Sequence, residues 1–139
     1  PGQVVVAGDA TFRTRDGGAI DVTVKRNNAT GTATLRGMTR DEAQRSPLVK
    51  VAAARAWLAM IAGDPTTAYD VARRALDELG TDYRDVPGTR HVMDDTGMTL
   101  RLASNAADSG DRAGAAQQAV EVLKTRIGLY VRVFAGRVE

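Results

Sequence analysis

The chain has 139 residues, 43% hydrophobic and 26% charged, the balance of one globular domain with a core of its own. Nineteen Lys and Arg against 17 Asp and Glu leave a net charge of +2, and the two signs are interspersed, so the clustered basic stripe of a nucleic-acid surface is missing. No cysteine is present, which excludes disulfides, thiol chemistry and zinc–thiolate sites, and no apolar run reaches the length of a membrane-spanning helix.

Aromatic residues are only 4%, so the core must be aliphatic and alanine-rich. The chain opens at Pro1 without a signal peptide, and the expectation is a processed form or a piece of a longer protein.

Residues 1–38 read as an antiparallel meander of three strands. The first lies in "QVVVAGDATF", where Gly8-Asp9 suggests a bulge or bend and Phe12 faces the core. "RDGG" (Arg15 to Gly18) is a hairpin signal, because such a turn needs positive φ. "GAIDVTVK" then alternates strictly, with Ile20, Val22 and Val24 on one face and Asp21, Thr23 and Lys25 on the other. "RNNATG" makes the next turn, and its Asn28-Ala29-Thr30 sequon reads as turn chemistry. "TATLR" closes the meander with Ala33 and Leu35 inward.

Residues 39–139 read as a four-helix region that covers the apolar face of the sheet, the two parts forming one domain. Thr39 with Glu42 fits a capping box, and Ser46-Pro47 is the stronger helix start. The helix from Pro47 places Leu48, Val51, Ala52, the Arg55 stem, Leu58, Ala59 and Ala62 near one face and ends at Gly63. Asp64 caps the next helix and Pro65 opens it, with Ala68, Val71, Ala72, Ala75, Leu76 and Leu79 inward and Gly80 as the stop. "TDYRDVPGTRHVM" is the one long connection. A third helix over about 95–109 carries a stripe of Met98, Leu102, Ala103 and Ala106. The last, over about 112–134, carries Ala115, Ala119, Val122, Leu123, Ile127, Tyr130 and Phe134. "LYVRVF" also alternates, so a further strand over 129–135 is the other reading of the end.

The helices contain a repeat. A shift of 47 positions aligns Ala56/Ala103, Ala59/Ala106, Gly63/Gly110, Asp64/Asp111, Ala68/Ala115, Ala72/Ala119 and Leu76/Leu123. The pattern is a helical hairpin written twice. Gly ends one helix, Asp caps the next, and alanines let the pair approach closely. This spacing is similar to that of tetratricopeptide hairpins, although two hairpins are few for a peptide groove.

Catalytic motifs are scarce. There is no nucleophile elbow and no glycine-rich phosphate loop. His91 stands beside Asp94 and Asp95 in "HVMDD", a conceivable metal or acid–base cluster, yet a metal needs three or four converging ligands. The expectation is a polar-loop His91, with the two aspartates at the start of the third helix and no metal or cofactor. Trp57 is expected to pack on the sheet or to mark a partner contact.

"SPLVKVAAARAWLAMIAGDPTTAYDVARRAL", followed by a final helix ending "KTRIGLYVRVFAGRVE", resembles the region that follows the von Willebrand factor A domain in many bacterial A-domain proteins. Ser46-Pro47-Leu48-Val49, Ala56, Ala62-Gly63-Asp64, Ala68, Leu76, Lys124, Tyr130 and Gly136-Arg137 carry the likeness. The metal-binding Asp-x-Ser-x-Ser of that family is absent, so the resemblance implies an accessory part without the adhesion site.

Together these readings give an α+β domain, an N-terminal three-stranded antiparallel meander followed by two antiparallel helical hairpins. The function expected is a non-enzymatic protein-interaction or scaffold module. Its partner is a protein or a segment of the same parent protein, bound by strand addition at "VVVAG" or "TATLR", with a homodimer as one form. The alternatives are a tetratricopeptide-like adaptor for a peptide and a metal-dependent enzyme at the His91 loop. Trp57, Tyr69, Tyr83 and His91 are the candidate contacts.

Overall fold

The computed structural model describes residues 3–7, 10–15, 18–80 and 88–133. The expected meander is present as β2 (Ala10–Arg15), β3 (Ala19–Arg26) and β4 (Ala29–Arg36), and a further strand, β1 (Gln3–Ala7), joins at the β2 side. The sheet order is β1-β2-β3-β4, antiparallel throughout. The stretch read as one bent strand is therefore two, with Ala7 paired to Ala10. Gly8-Asp9 and Asp16-Gly17 lie outside the described residues, while Gly18 holds the positive φ (74°) that the first hairpin needs. At the second hairpin Asn27 takes φ 55°, which asparagine tolerates because its short side chain bonds locally.

Strand alternation builds the buried face. Across the register, Ala10 stands opposite Val24 and Val24 opposite Gly31, Phe12 opposite Val22 and Val22 opposite Ala33, and Ile20 opposite Leu35. All of these are buried. Gly31 belongs to β4 rather than to the turn.

The capping box at Thr39 is real. Thr39 Oγ1 accepts from the Glu42 N–H at 3.1 Å, and the Thr39 N–H donates back to Glu42 Oε1 at 3.3 Å. It opens a helix of its own, α1 (Arg40–Arg45). Ser46 Oγ then accepts from the Leu48 N–H at 3.1 Å and starts α2 (Leu48–Gly63). A 3-10 turn over Pro65–Thr67 leads into α3 (Ala68–Leu79). α4 (Thr89–Asp108) and α5 (Arg112–Val133) complete the chain.

α2 lies across β4 and β3 and touches α3 and α5 on its other sides. This central position overturns the single face expected for it. Val49, Ala53, Ala54, Ala56, Trp57, Met60 and Ile61 are buried as well, whereas Arg55, Ala59 and Ala62 are exposed and Leu58 is half-buried. A helix covered nearly all round is apolar nearly all round, so periodicity does not reveal its orientation. α3 behaves as expected, with all six of its inward residues buried.

α4 corrects two further expectations. It begins at Thr89, so His91, Asp94 and Asp95 are helical and not in or beside a loop. Its buried residues are Thr89, Thr96 and Ala103, seven apart, while Met98 and Leu102 are 67% and 56% exposed. α5 stays helical through Val133, which removes the strand reading for its described part; Phe134 lies outside the described residues.

The helices pair as two hairpins, α2 with α3 and α4 with α5, and α5 also packs on α2 and α3. One hydrophobic cluster runs from Ala10 on β2 to Tyr130 on α5. Among the described residues no helix is long and apolar enough to cross a membrane.

Candidate functional site

Trp57 sits in the middle of α2 with no exposed surface. A buried indole N–H needs an acceptor, and Glu78 on α3 supplies one: Nε1 donates to Glu78 Oε2 at 2.9 Å. Arg74 Nε donates to the other carboxylate oxygen at 3.1 Å, and its guanidinium lies 5.0 Å from the centre of the Trp57 ring. Cation, carboxylate and ring thus close on one another and join α2 to α3. The polar edge of Trp57 faces α3, not the sheet, and the residue has no surface to offer a partner.

Tyr69 is half-buried at the start of α3. The Arg112 guanidinium covers its ring at 5.4 Å and donates from Nη2 to Asp70 Oδ1 at 2.9 Å. The contact ties the starts of α3 and α5 together. Tyr83 lies outside the described residues.

His91 is in the first turn of α4 and its side chain is 84% exposed. Nε2 lies 3.3 Å from Asp95 Oδ2, an i,i+4 pair on the helix surface. Among the described residues no three His, Cys, Asp or Glu side chains come together as a metal would require. The three candidates among the described residues, Trp57, Tyr69 and His91, are therefore not one site. Trp57 and Tyr69 join helices, and His91 pairs only with Asp95 on the surface of α4 among the described residues.

The open surfaces lie elsewhere. The sheet face away from α2 carries Arg13, Arg15, Lys25 and Arg36 around one carboxylate, Asp21. Arg15 binds Asp21 with two hydrogen bonds, 2.9 and 3.1 Å, and Thr34 Oγ1 adds a third at 3.1 Å. The Arg15 bond is the main cause holding the Asp21 carboxyl below its ordinary range. β4 pairs with β3 over all eight residues without a register shift, and no other strand lies beside it among the described residues. The opposite edge, β1, has five residues and a register shift between Val5 and Ala7.

One residue escaped the sequence reading altogether. Arg126 on α5 is only 7% exposed, and its Nε donates to Thr96 Oγ1 on α4 at 3.0 Å. The signal was its phase: position 126 falls between Val122 and Tyr130 on the inward side of the helix. Burial and the nearby charge of Arg73 hold the Arg126 pKa below the ordinary arginine value, partly offset by Tyr130.

No protein-family model, no curated protein and no solved structure matches the chain.

Proposed function

We propose that this chain is a protein-interaction module that receives an extended strand along the outer edge of β4, where no described strand pairs. The observation that supports this reading is the contrast between the two sheet edges. Exposed edges are ordinarily blunted by shortness, bulges, proline or charge, because their unpaired N–H and C=O groups template further pairing. β1 is short and its register is broken, whereas β4 runs eight residues with no proline and no bulge. Its backbone can supply main-chain hydrogen bonds to an added strand, and Thr30, Thr32 and Arg36, exposed in alternation, can contact that strand's side chains. The resemblance to an A-domain accessory region would set such a module beside an adhesion domain in a longer protein.

A second copy of the chain is the simplest strand donor and serves as the probe. Light scattering over a concentration series should show mass rising toward the dimer. Backbone hydrogen exchange should show alternate β4 amides exposed in the dilute chain and protected as the dimer forms. A chain that stays monomeric with every β4 amide already protected would sink the reading.

A further inference from the structure

We propose that the sheet face turned away from α2 is a docking surface for an acidic segment of a partner protein, held through its carboxylates by Arg13, Arg15, Lys25 and Arg36. In the sequence these cations are scattered and form no basic run. Strand alternation sorts them: Phe12, Ile20, Val22, Val24 and Leu35 turn inward, and all four cations come to the opposite face, where they are exposed. The register fixes their places. Arg15 and Arg36 stand on either side of Ala19 in one cross-strand row, Arg13 is opposite Asp21 in the next, and Lys25 is opposite Thr30 toward the far end. Strands about 4.8 Å apart and a rise of about 3.4 Å per residue put all four in a patch roughly 10 Å wide and 20 Å long. An open cleft of about 560 Å³ lies over β2 and β3, and Arg13, Arg15, Asp21, Thr23 and Lys25 are among the residues that line it.

Four cations against one carboxylate, Asp21, exceed the net charge of +2 borne by the whole chain, so the rest of the molecule is acidic on balance. In backbone position Arg15 lies within about 10 Å of both Arg13 and Arg36, a Debye length at moderate salt, so their fields add. The face already shows how it holds a carboxylate. Arg15 grips Asp21 with two hydrogen bonds of 2.9 and 3.1 Å, the paired fork that suits guanidinium to carboxylate. Arg13 and Lys25 have no carboxylate of their own among the described residues. Between the charged rows Thr23 and Thr32 stand opposite each other with their hydroxyls 3.5 Å apart, and these can donate to a carboxylate or a peptide carbonyl. The outward residues of β2, β3 and β4 include no aromatic ring on which a base could stack, which favours a protein segment over a single-stranded nucleic acid. The contact uses side chains above the sheet and needs no strand pairing at the β4 edge.

The test is fluorescence anisotropy of the full chain with a labelled decaglutamate peptide at low salt, beside decaglutamine and an oligothymidylate of equal charge. Decaglutamate should bind saturably, decaglutamine should not, and the affinity should fall steeply as salt is added. Arg13→Glu with Lys25→Glu should weaken binding by about tenfold or more for each reversed charge, the scale of a lost charge-assisted hydrogen bond. Both side chains are exposed and neither holds Asp21, so this variant keeps the Arg15 pair that spans β2 and β3. Arg101→Glu with Lys124→Glu makes the same change in net charge on exposed positions of α4 and α5, and should alter binding by less than about twofold if the face, and not overall charge, is responsible. No saturable binding of decaglutamate, equal binding of decaglutamine, or equal losses in the two variants overturns the proposal. Tighter binding of oligothymidylate, lost in the Arg13/Lys25 variant, also overturns it and assigns the face to nucleic acid. A chain that never dimerises leaves this proposal intact, and a chain that dimerises through β4 without binding decaglutamate overturns this proposal alone.

Discussion

Gly31 shows how much a single position can decide. A Cβ built there would collide with the Ala56 carbonyl oxygen and lie 2.9 Å from both the Ala56 carbonyl carbon and the Met60 nitrogen. These are backbone atoms of α2, which cannot swing aside as a flexible side chain can. Gly31→Ala must therefore push α2 off the sheet, and we expect a loss of about 2 kcal/mol in denaturant unfolding, the usual scale of core overpacking. Gly63 is the control, because its Cβ would meet nothing within 4 Å and its φ is not in the left-handed region. Gly63→Ala should leave stability unchanged or raise it by up to about 1 kcal/mol. Equal effects at the two positions would remove the close approach as the explanation. The sequence presents Gly31 as the tail of a turn signal, and nothing local corrects that. The helix that requires the missing side chain lies 25 residues on, at Ala56. Trp57 was legible only in part for a related reason. Its place mid-helix was legible, but its acceptor, Glu78, belongs to another element.

At the scale of elements, legibility followed how many neighbours a segment has. β3 and α3 each bury one face, so alternation and the helical period identify their inward residues directly. α2 is enclosed on several sides and its pattern carries no phase. α4 misleads for a chemical reason. Thr96 faces inward because its hydroxyl bonds to the Val92 carbonyl of its own helix and receives Arg126, so burying it leaves no orphaned polar group. The apolar Met98 and Leu102 can then point to solvent. The two readings of α4 predict opposite outcomes. On the observed geometry, Met98→Gln with Leu102→Gln should change stability by less than about 0.5 kcal/mol, as for other surface positions. Ala103→Leu, at a fully buried position against α5, should cost about 1–3 kcal/mol through overpacking. A large loss in the double glutamine variant, with tolerance at Ala103, would restore the stripe expected from sequence. Chemical unfolding of the two variants side by side decides the matter.

At the scale of the whole molecule the repeated phrase becomes a statement about layers. In four of the seven aligned pairs, Ala56/Ala103, Ala68/Ala115, Ala72/Ala119 and Leu76/Leu123, both members are buried. The hairpin design is thus used twice, but its junctions differ. Gly63 ends α2 without a positive φ, and Asp64 accepts the hydroxyls of Thr66 and Thr67. Gly110 takes φ 90°, and Asp111 caps α5 by accepting the Gly114 N–H at 2.9 Å. Their surroundings differ more. The first hairpin lies between the sheet and α5, whereas α4 packs chiefly on α5 and buries only three residues. Local opening is governed by the apolar contacts that must be broken, so equal sequence copies should not have equal stability. Native-state hydrogen exchange should find the α4 amides opening at a free energy well below the global value, with α2 and α3 exchanging only through global unfolding. Adding a low concentration of denaturant should leave the α4 openings nearly unaffected, because little surface is exposed in them, while exchange in α2 and α3 accelerates steeply. Exchange of α4 in step with α2 would mean that the second hairpin is as integral as the first. The layering would then be a feature of topology with no energetic counterpart.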